Sequence, residues 1–402
     1  MLAGVVVWEV EMVMNRREFV VGAGMAAGAR KAAWGAVSVD VAGVDRMRIL
    51  KAAEGYLKEK PVTVTAARAE RSAGGVHDFY SEGDYWWPDP KKPGGPYVRR
   101  DGMTNPENFT AHREAMVRLS VQVPALAAAW KITREPWKRK KYADKAQEHL
   151  WAWFGDEKTR MNPNLEFAQA ISGVNKGRGI GIIDTIHLVE VARAAAVLEG
   201  AMGKVTDVVV HDWFAAYVAW MTTSKNGMEE RDTKNNHASC WVMQVAEFAR
   251  YVGDEKLMEW CRERFRTVLV PVQVAADGSL PLELERTKPY SYALFDMDVL
   301  ATVCQILSKP GDDLWAFRTT DGRGMEKVIG YMAPFIADKS KWPLKADVEF
   351  FGDLPVRSPA LLFGGLVYGR AEWVALWKGL NADPVVGEIV RNFPVRQPVL
   401  WV

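Results

Sequence analysis

Apolar residues through most of the chain recur every three or four positions, over segments that are each long enough for one helix. Between residues 205 and 222, for example, Val209, Trp213, Ala216 and Trp220 fall on one helical face. The sequence has neither a long alternation of apolar and polar residues nor a repeating strand–helix–strand rhythm. Helices joined by turns over this length predict an all-α fold, an α/α toroid or incomplete α/α barrel in which an inner ring of helices packs inside an outer ring.

The helical segments cover residues 44–59, 108–132, 135–154, 181–199, 205–222, 255–274, 291–307, 325–337 and 359–380, and a further helix starts near residue 236. Residues 74–108 are rich in Pro and Gly and predict a loop-rich N-terminal insertion. With 402 residues the chain can bury a large core, and we expect residues 40–402 to form a single domain. The apolar, proline-broken residues 393–402 are expected to pack on this domain as an extended segment.

The first 39 residues predict an export signal and a linker. Arg16 and Arg17, followed by Glu18 and Phe19, match a twin-arginine signal, and Met14 could be the true start. The alternative is a chance Arg-Arg pair in a disordered tail. We expect export in folded form, to the periplasm or as a secreted protein. No other apolar run is long enough to span a membrane, so membrane insertion is not expected.

Charge and cysteine content narrow the possible classes of function. A net charge of +2 provides no overall field for nucleic acid, so no nucleic-acid partner is expected. Cys240, Cys261 and Cys304 are an odd number without metal-ligand spacing, and their apolar helical contexts are typical of small hydrophobic residues. No His-Glu-x-x-His pattern occurs. We therefore predict no disulfide framework, no metal and no cofactor, and we expect a monomer.

Two adjacent amides and an imidazole, Asn235, Asn236 and His237, directly precede an apolar helical run. Each amide carries two donor hydrogens and an acceptor that need partners when buried. One interpretation is that Asn235 caps the helix and the other two are satisfied polar residues of the core. Three such groups together, followed further along the chain by an arginine and a tyrosine-rich segment, indicate a functional site instead.

Polar and aromatic residues are concentrated at three further places. These are a tryptophan-rich loop at residues 84–100, a glycine-rich approach to a helix at 175–179 and an Arg- and Tyr-rich segment at 285–292. The glycine-rich stretch is not a phosphate loop, because the Gly-x-Gly-x-x-Gly spacing and the preceding strand are missing. The candidate substrate-binding residues at these places and in the triplet are Tyr85, Trp86, Trp87, Arg100, Asn175, Arg178, Asn235, Lys288 and Tyr290.

An amide, an imidazole, a guanidinium and a phenol together suit β-elimination from a uronic acid. The C5 proton of a uronate becomes acidic when hydrogen bonds neutralise the carboxylate and stabilise the enolate-like intermediate. Asn236, His237 and Arg286 are suitable donors. A tyrosine of the 285–292 segment can take the C5 proton and return one to O4, and Arg286 and Lys288 are expected to favour its phenolate. In β-linked mannuronate and glucuronate the C5 hydrogen and O4 lie on the same face of the sugar ring. One tyrosine could therefore both take the C5 proton and return a proton to O4.

The order of several motifs resembles that of the alginate lyase superfamily, polysaccharide lyases with an α/α-toroid fold. The resemblance covers roughly residues 40 to 390. The motifs are Asn235-Asn236-His237, residues 277–288 (Asp-Gly-Ser-Leu-Pro-Leu-Glu-Leu-Glu-Arg-Thr-Lys) and residues 292–295 (Tyr-Ala-Leu-Phe). The segments that resemble its subgroup, polysaccharide lyase family 38, are residues 82–88, 95–97, 100–102, 105–107 and 177–181.

This resemblance implies a lyase that cleaves β-1,4-linked polyuronate, either mannuronan and alginate or glucuronan, so the expected partner is an acidic polysaccharide. By resemblance, Asn236 and Arg286 would contact the substrate carboxylate, and His237 would neutralise it or act as a base. Tyr292 would be the catalytic tyrosine, with Tyr290 as its rival.

Two other classes of protein remain open. A glycoside hydrolase on the same toroid needs an acid and a second carboxylate that flank the bond, and Glu82, Asp84, Asp184 and Glu285 are candidates that do not pair by sequence. A non-catalytic glycan-binding protein would keep the tryptophan-rich loop but would have no use for the amide, imidazole, guanidinium and phenol. A product with new ultraviolet absorbance would identify a lyase.

Overall fold

The computed structural model describes residues 37–402, so the predicted export signal lies outside the described residues. None of the helices in this part of the chain is both long and apolar enough to cross a membrane. The helices are α1 (Val41–Tyr56), α2 (Ala111–Ile132), α3 (Pro136–Phe154), α4 (Leu188–Leu198), α5 (Lys204–Thr223), α6 (Lys225–Arg231), α7 (Asn236–Val252), α8 (Glu255–Arg264), α9 (Val270–Gln273), α10 (Pro281–Leu284), α11 (Pro289–Leu307), α12 (Met325–Ala337), α13 (Pro359–Val367), α14 (Ala371–Gly379) and α15 (Gly387–Arg391). Short 3-10 helices cover Val64–Ala66, Gly179–Thr185, Lys339–Lys341, Phe351–Asp353 and Pro398–Leu400.

The longer helices pack as an inner and an outer layer. The inner helices contact one another in series, α2 with α4, α4 with α7, α7 with α11 and α11 with α13. The outer helices cover them, with α1 and α3 on α2, α5 and α8 on α7, α12 on α11, and α14 on α13. The prediction of an all-α fold is therefore confirmed, and the core lies along the inner series.

The two layers differ in how much of each helix is buried. In the inner helix α7, every residue from Ala238 to Ala249 is buried. In the outer helix α3, Leu150 and Trp153 face the core, whereas Lys140 and Asp144 form an ion pair on the exposed side. An amphipathic helix suits an outer position, and a helix buried on all sides suits an inner one. The three cysteines are buried free thiols, as expected for small hydrophobic residues.

The structure divides three of the predicted helices. Residues 181–199 form the end of the 3-10 helix Gly179–Thr185 and then α4. Residues 255–274 form α8, a π-helical turn (Phe265–Leu269) and α9, because Pro271 has no N–H for the regular helical hydrogen bond. Residues 359–380 form α13 and α14, which are separated by Gly369 with a φ of 69°. A residue with a Cβ rarely adopts that backbone conformation, so glycine ends α13 here.

Four short strands organise the loop-rich insertion. β1 (Tyr80–Glu82) pairs in parallel with β4 (Phe167–Ala170), and β2 (Trp86–Trp87) pairs antiparallel with β3 (Val98–Arg99). β1 contacts α2, and β4 contacts the 3-10 helix Gly179–Thr185. These contacts attach the predicted insertion to the helical layers.

Residues 393–402 pack on the inner layer, partly as the 3-10 helix Pro398–Leu400 rather than wholly extended as predicted. Glu190 of α4 accepts hydrogen bonds from the backbone N–H groups of Arg396 and Gln397, at 2.9 and 2.8 Å, and from the indole N–H of Trp401 at 3.0 Å. Burial raises the pKa of Glu190, and these hydrogen bonds act in the opposite direction. The prediction that residues 393–402 pack on the domain is confirmed.

Candidate active site

A cleft of about 240 Å³ opens between the insertion, the 3-10 helix Gly179–Thr185, the N-terminal ends of α7 and α11, and α15. Five arginine or lysine side chains line it, against two carboxylates, so it favours an acidic ligand. The residues predicted from the sequence that line this cleft are Tyr85, Trp86, Arg178, Asn235, Asn236, His237, Arg286, Lys288 and Tyr292.

Asn236 is the first residue of α7, and a glutamate from another element holds it. Its backbone N–H donates to Glu283 Oε1 at 2.8 Å, and its side-chain Nδ2 donates to Glu283 Oε2 at 2.6 Å. Glu283 of α10 therefore caps α7, whereas the side chain of Asn235 makes no capping hydrogen bond. Because Nδ2 carries a second hydrogen, Asn236 can still donate to a ligand in the cleft.

His237 follows in the first turn of α7 and is held by a second glutamate. Its Nδ1 lies 2.7 Å from Oε1 of Glu230, which is fully buried near the end of α6. Burial raises the pKa of Glu230, and the interaction with His237 acts in the opposite direction. Because this contact occupies Nδ1, Nε2 is the ring nitrogen available to a ligand.

Arg286 precedes α11 and is oriented by Asp101 of the insertion. Its Nη2 donates to Asp101 Oδ1 at 3.0 Å, and its Nε donates to Oδ2 at 3.4 Å. Burial would raise the pKa of Asp101, but the hydrogen bonds and charge of Arg286 lower it overall, so the pair is ionised. The Nη2 atom also lies 3.4 Å from the hydroxyl of Tyr292, and the guanidinium lies 4.4 Å from the centre of that ring.

The Tyr292 hydroxyl also contacts the insertion, because it lies 2.6 Å from the hydroxyl of Tyr85. Burial raises the pKa of Tyr292 to about 12, although Arg286 and the hydrogen bond with Tyr85 act in the opposite direction. Arg286 therefore favours the phenolate as expected, but the pKa of Tyr292 is not lowered in the free protein, since burial outweighs this effect. The Lys288 ammonium instead donates to Glu349 at 2.9 Å.

Arg178 and Trp86 lie beside each other in the cleft, with the guanidinium 5.8 Å from the centre of the indole ring. Arg178 donates to the backbone and side-chain oxygens of Gln169, at 3.1 and 2.8 Å. Burial lowers the pKa of Arg178 to about 10, so the group stays charged at neutral pH. An aromatic face next to a guanidinium suits a sugar ring that carries a carboxylate.

A buried network of ion pairs supports the cleft. Asp84 accepts hydrogen bonds from Arg113 Nη1 and Arg391 Nη2, both at 2.7 Å, and Arg113 Nε also donates to Asp184 at 3.2 Å. Burial would raise the pKa of Asp84, but the two arginines lower it to about 2. Asp84 is therefore ionised at neutral pH and cannot supply the proton that a glycoside hydrolase needs.

Tyr290 lies away from the cleft, contrary to its prediction as a substrate-binding residue and as the rival of the catalytic tyrosine. It is fully buried, with its ring edge-to-face against Trp342 and Phe351. Its hydroxyl donates to the carbonyl of Phe335 at 3.1 Å. The prediction failed because residues two positions apart in a helix point in nearly opposite directions, about 200° apart, so Tyr290 faces the core and Tyr292 faces the cleft.

Three other predicted binding residues do not line the cleft. Trp87 donates through Nε1 to the carbonyl of Met103 at 2.9 Å, and the Arg100 guanidinium lies 4.8 Å from the centre of the Trp87 ring. The side chain of Asn175 accepts from the N–H of Ile171 at 3.2 Å and closes a tight turn. These contacts stabilise the insertion and the glycine-rich turn, and binding of substrate by the three residues stays a prediction.

Several residues of the site were not recognised from the sequence. Glu283 and Asp101 lie inside the motifs that resemble the alginate lyase superfamily. The feature that could have identified them is a carboxylate close to the hydrogen-bond donors of the site. Glu230 ends a short polar helix without any pattern that distinguishes it. Arg391 and Asn392 of the C-terminal region line the cleft although their sequence context is ordinary.

The comparisons with known proteins identify this chain as a polysaccharide lyase. Residues 63–342 match the family model described as alginate lyase, so the chain belongs to the alginate lyase family. No curated protein matches the sequence.

Solved structures share the fold. An alginate lyase from Bacteroides ovatus is 29% identical, with a TM-score of 0.78, over 94% of this chain and 97% of that chain. Alginate lyase A1-III complexed with a tetrasaccharide is 15% identical, with a TM-score of 0.54, over 90% of this chain and 94% of that chain. The predicted superfamily and its α/α toroid are confirmed, and polysaccharide lyase family 38 stays a prediction.

Proposed function

We propose that this lyase cleaves β-1,4-linked polyuronates by β-elimination, with mannuronan-containing alginate or glucuronan as substrate. The observation that carries the proposal is the Tyr292 hydroxyl, which lies beside Tyr85 and Arg286 in the same cleft as Asn236 and His237. The excess of basic side chains supports a polyanionic substrate. The similarity to the alginate lyase from Bacteroides ovatus supports alginate as the first candidate.

The first step is to neutralise the carboxylate of the reacting uronate. Asn236 keeps one amide hydrogen free beside its bond to Glu283, and His237 has Nε2 available. Arg286 adds a positive charge that Asp101 holds in place. Fixed donors aimed at a site where charge develops stabilise the enolate-like intermediate more than the starting carboxylate.

The second step moves one proton. The C5–H bond breaks, and its proton passes to the phenolate oxygen of Tyr292. The electron pair forms the C4=C5 double bond as the C4–O4 bond breaks, and Tyr292 returns the proton to O4. One fragment then carries an unsaturated uronate at its non-reducing end, and the other carries a new reducing end.

The rate is expected to rise with pH, because the pKa of Tyr292, about 12, lies above neutral assay conditions. The phenolate fraction then grows tenfold per pH unit, and forming the phenolate at pH 7 costs about 7 kcal/mol. We expect kcat/KM, which reports ionisations of the free enzyme, to rise through the range from about pH 7 to about pH 9. A profile that is flat across this range would move the base role from Tyr292 to His237.

A panel of polyuronates tests the proposed function. A C4=C5 double bond conjugated to the carboxylate absorbs in the ultraviolet, so mannuronan, alginate or glucuronan should give a rising absorbance with purified enzyme. A glycoside hydrolase would release reducing ends without this absorbance, and a non-catalytic glycan-binding protein would release neither. If no polyuronate of the panel gives a rising ultraviolet absorbance, with or without release of reducing ends, the proposed reaction is refuted.

We also propose that the protein is exported through a twin-arginine signal, on the basis of Arg16 and Arg17 in the sequence. Changing both residues to Lys is expected to leave the protein in the cytoplasm, because the signal is read through its arginine pair. Cell fractionation and immunoblotting measure the result. Export at the unchanged level would contradict the proposal.

A further inference from the structure

Glu230 is a buried carboxylate whose hydrogen-bonding partner is a residue of the cleft. It is fully buried near the end of α6, and its Oε1 lies 2.7 Å from His237 Nδ1. Its other oxygen, Oε2, has no hydrogen-bond partner among residues 37–402. Burying a carboxylate costs free energy of folding when only one of its two oxygens has a hydrogen-bond partner. A purely structural role therefore does not explain why Glu230 is buried.

The glycine-rich turn packs closely against the backbone of α6 next to Glu230. A Cβ on Gly179 would lie 2.7 Å from the carbonyl oxygen of Asn226 and 3.1 Å from the backbone nitrogen of Glu230. Only a residue without a side chain therefore allows the turn to approach α6 this closely. Because Glu230 is fully buried, its carboxylate is shielded from water and its effect on the imidazole is strong.

The charges around the pair come from three other elements. Arg178 and Asp184 face Glu230 from the glycine-rich turn and the 3-10 helix that follows it, and they act on it in opposite directions. Glu283 of α10 also interacts with His237. Within the described chain, the hydrogen bond that His237 Nδ1 makes to Glu230 is the contact that can fix the orientation of this imidazole ring.

We propose that Glu230 is a positioning residue that acts through His237. It keeps a proton on Nδ1 and directs Nε2 into the cleft, where this nitrogen donates to the substrate carboxylate when it carries a proton. A carboxylate behind a catalytic imidazole has this effect generally, since it selects one tautomer and balances the positive charge. The expected effect on catalysis rests on the proposed function, but the expectation that Nδ1 carries a proton does not.

The test is Glu230→Gln, which keeps the size of the side chain and removes its charge. We expect kcat on the best polyuronate of the panel to fall at least about tenfold, with KM changed less than about threefold. In ¹⁵N-resolved NMR spectra of the substrate-free protein, His237 should show a downfield Nδ1 proton that exchanges slowly, and the variant should lose it. The matched control is Glu229→Gln, an exposed neighbour that pairs with Lys225 at 3.7 Å and should change neither quantity.

Two results would overturn the inference. One is a wild-type spectrum without a protected Nδ1 proton on His237, which can be recorded even if the variant does not fold. The other is a folded Glu230→Gln enzyme with unchanged kcat on a polyuronate that the wild type cleaves. If the wild type cleaves no polyuronate, the proposed function fails, while the NMR spectrum still tests the contact between Glu230 and His237.

Discussion

Tyr292→Phe is expected to fold normally, to bind polyuronate and to lose at least about a hundredfold in kcat. The substitution keeps the ring under Arg286, where the guanidinium lies 4.4 Å from the ring centre, and removes only the hydroxyl. That hydroxyl is the group in contact with both Tyr85 and Arg286, so its loss removes the proposed proton carrier. Initial rates by ultraviolet absorbance, with binding measured by calorimetry, separate catalysis from affinity.

Tyr290→Phe is the matched control for this prediction. Its hydroxyl donates to the carbonyl of Phe335 in the core, so its loss should lower stability modestly and leave kcat unchanged. An inactive, folded Tyr290→Phe beside a fully active Tyr292→Phe would show that the wrong tyrosine has been assigned. If both single variants and the double variant stay active, the phenol mechanism fails and His237 becomes the sole base.

Asn236→Ala is expected to cost on the order of 3 kcal/mol of transition-state stabilisation, the scale of losing one oxyanion-hole donor. The variant loses the amide hydrogen that we propose donates to the substrate carboxylate, and with it the bond from Nδ2 to Glu283. The backbone N–H still donates to Glu283 Oε1, so α7 should begin at the same residue. The cost is measured as the ratio of kcat/KM values, with thermal unfolding as the check on folding.

Asn235→Ala is the comparison for that variant. Asn235 also lines the cleft, but its side chain has no fixed carboxylate partner and does not cap the helix. A donor without such support is expected to affect KM more than kcat. Equal losses of kcat in the two variants would indicate that the bond to Glu283 gives Asn236 no special role. An unchanged kcat/KM in Asn236→Ala would show that Asn236 takes no part in the mechanism.

The architecture could be predicted from the sequence because helical periodicity depends on neighbours three and four positions apart. The bounds of α3 and α5 differ by only one residue from those predicted. The division of residues 255–274 was missed because the apolar stripe continues across Pro271. An apolar stripe indicates which face of a helix is buried. It does not indicate a π-helical turn, which here arises because Pro271 lacks a backbone N–H.

The donors of the site were also evident in the sequence, but the groups that orient them were not. Asn236, His237 and Arg286 stand out through their motifs, whereas Glu283 and Glu230 become relevant only when α10 and α6 pack against α7. The pKa of Tyr292 illustrates the same limit. Arg286 is close to Tyr292 in sequence, and its charge predicts a lowered pKa for the Tyr292 hydroxyl. Burial, which depends on the whole fold, outweighs that effect.

The ion-pair network of Asp84 also joins two distant parts of the chain at the cleft. Asp84 lies in the insertion, and Arg391 reaches it from α15, 307 residues further along the chain. The final residues also bind α4 through Glu190. A chain that lacked α15 would therefore lose one wall of its cleft, because Arg391 and Asn392 line it. The cleft is complete only when two segments that lie far apart in the sequence are folded against each other.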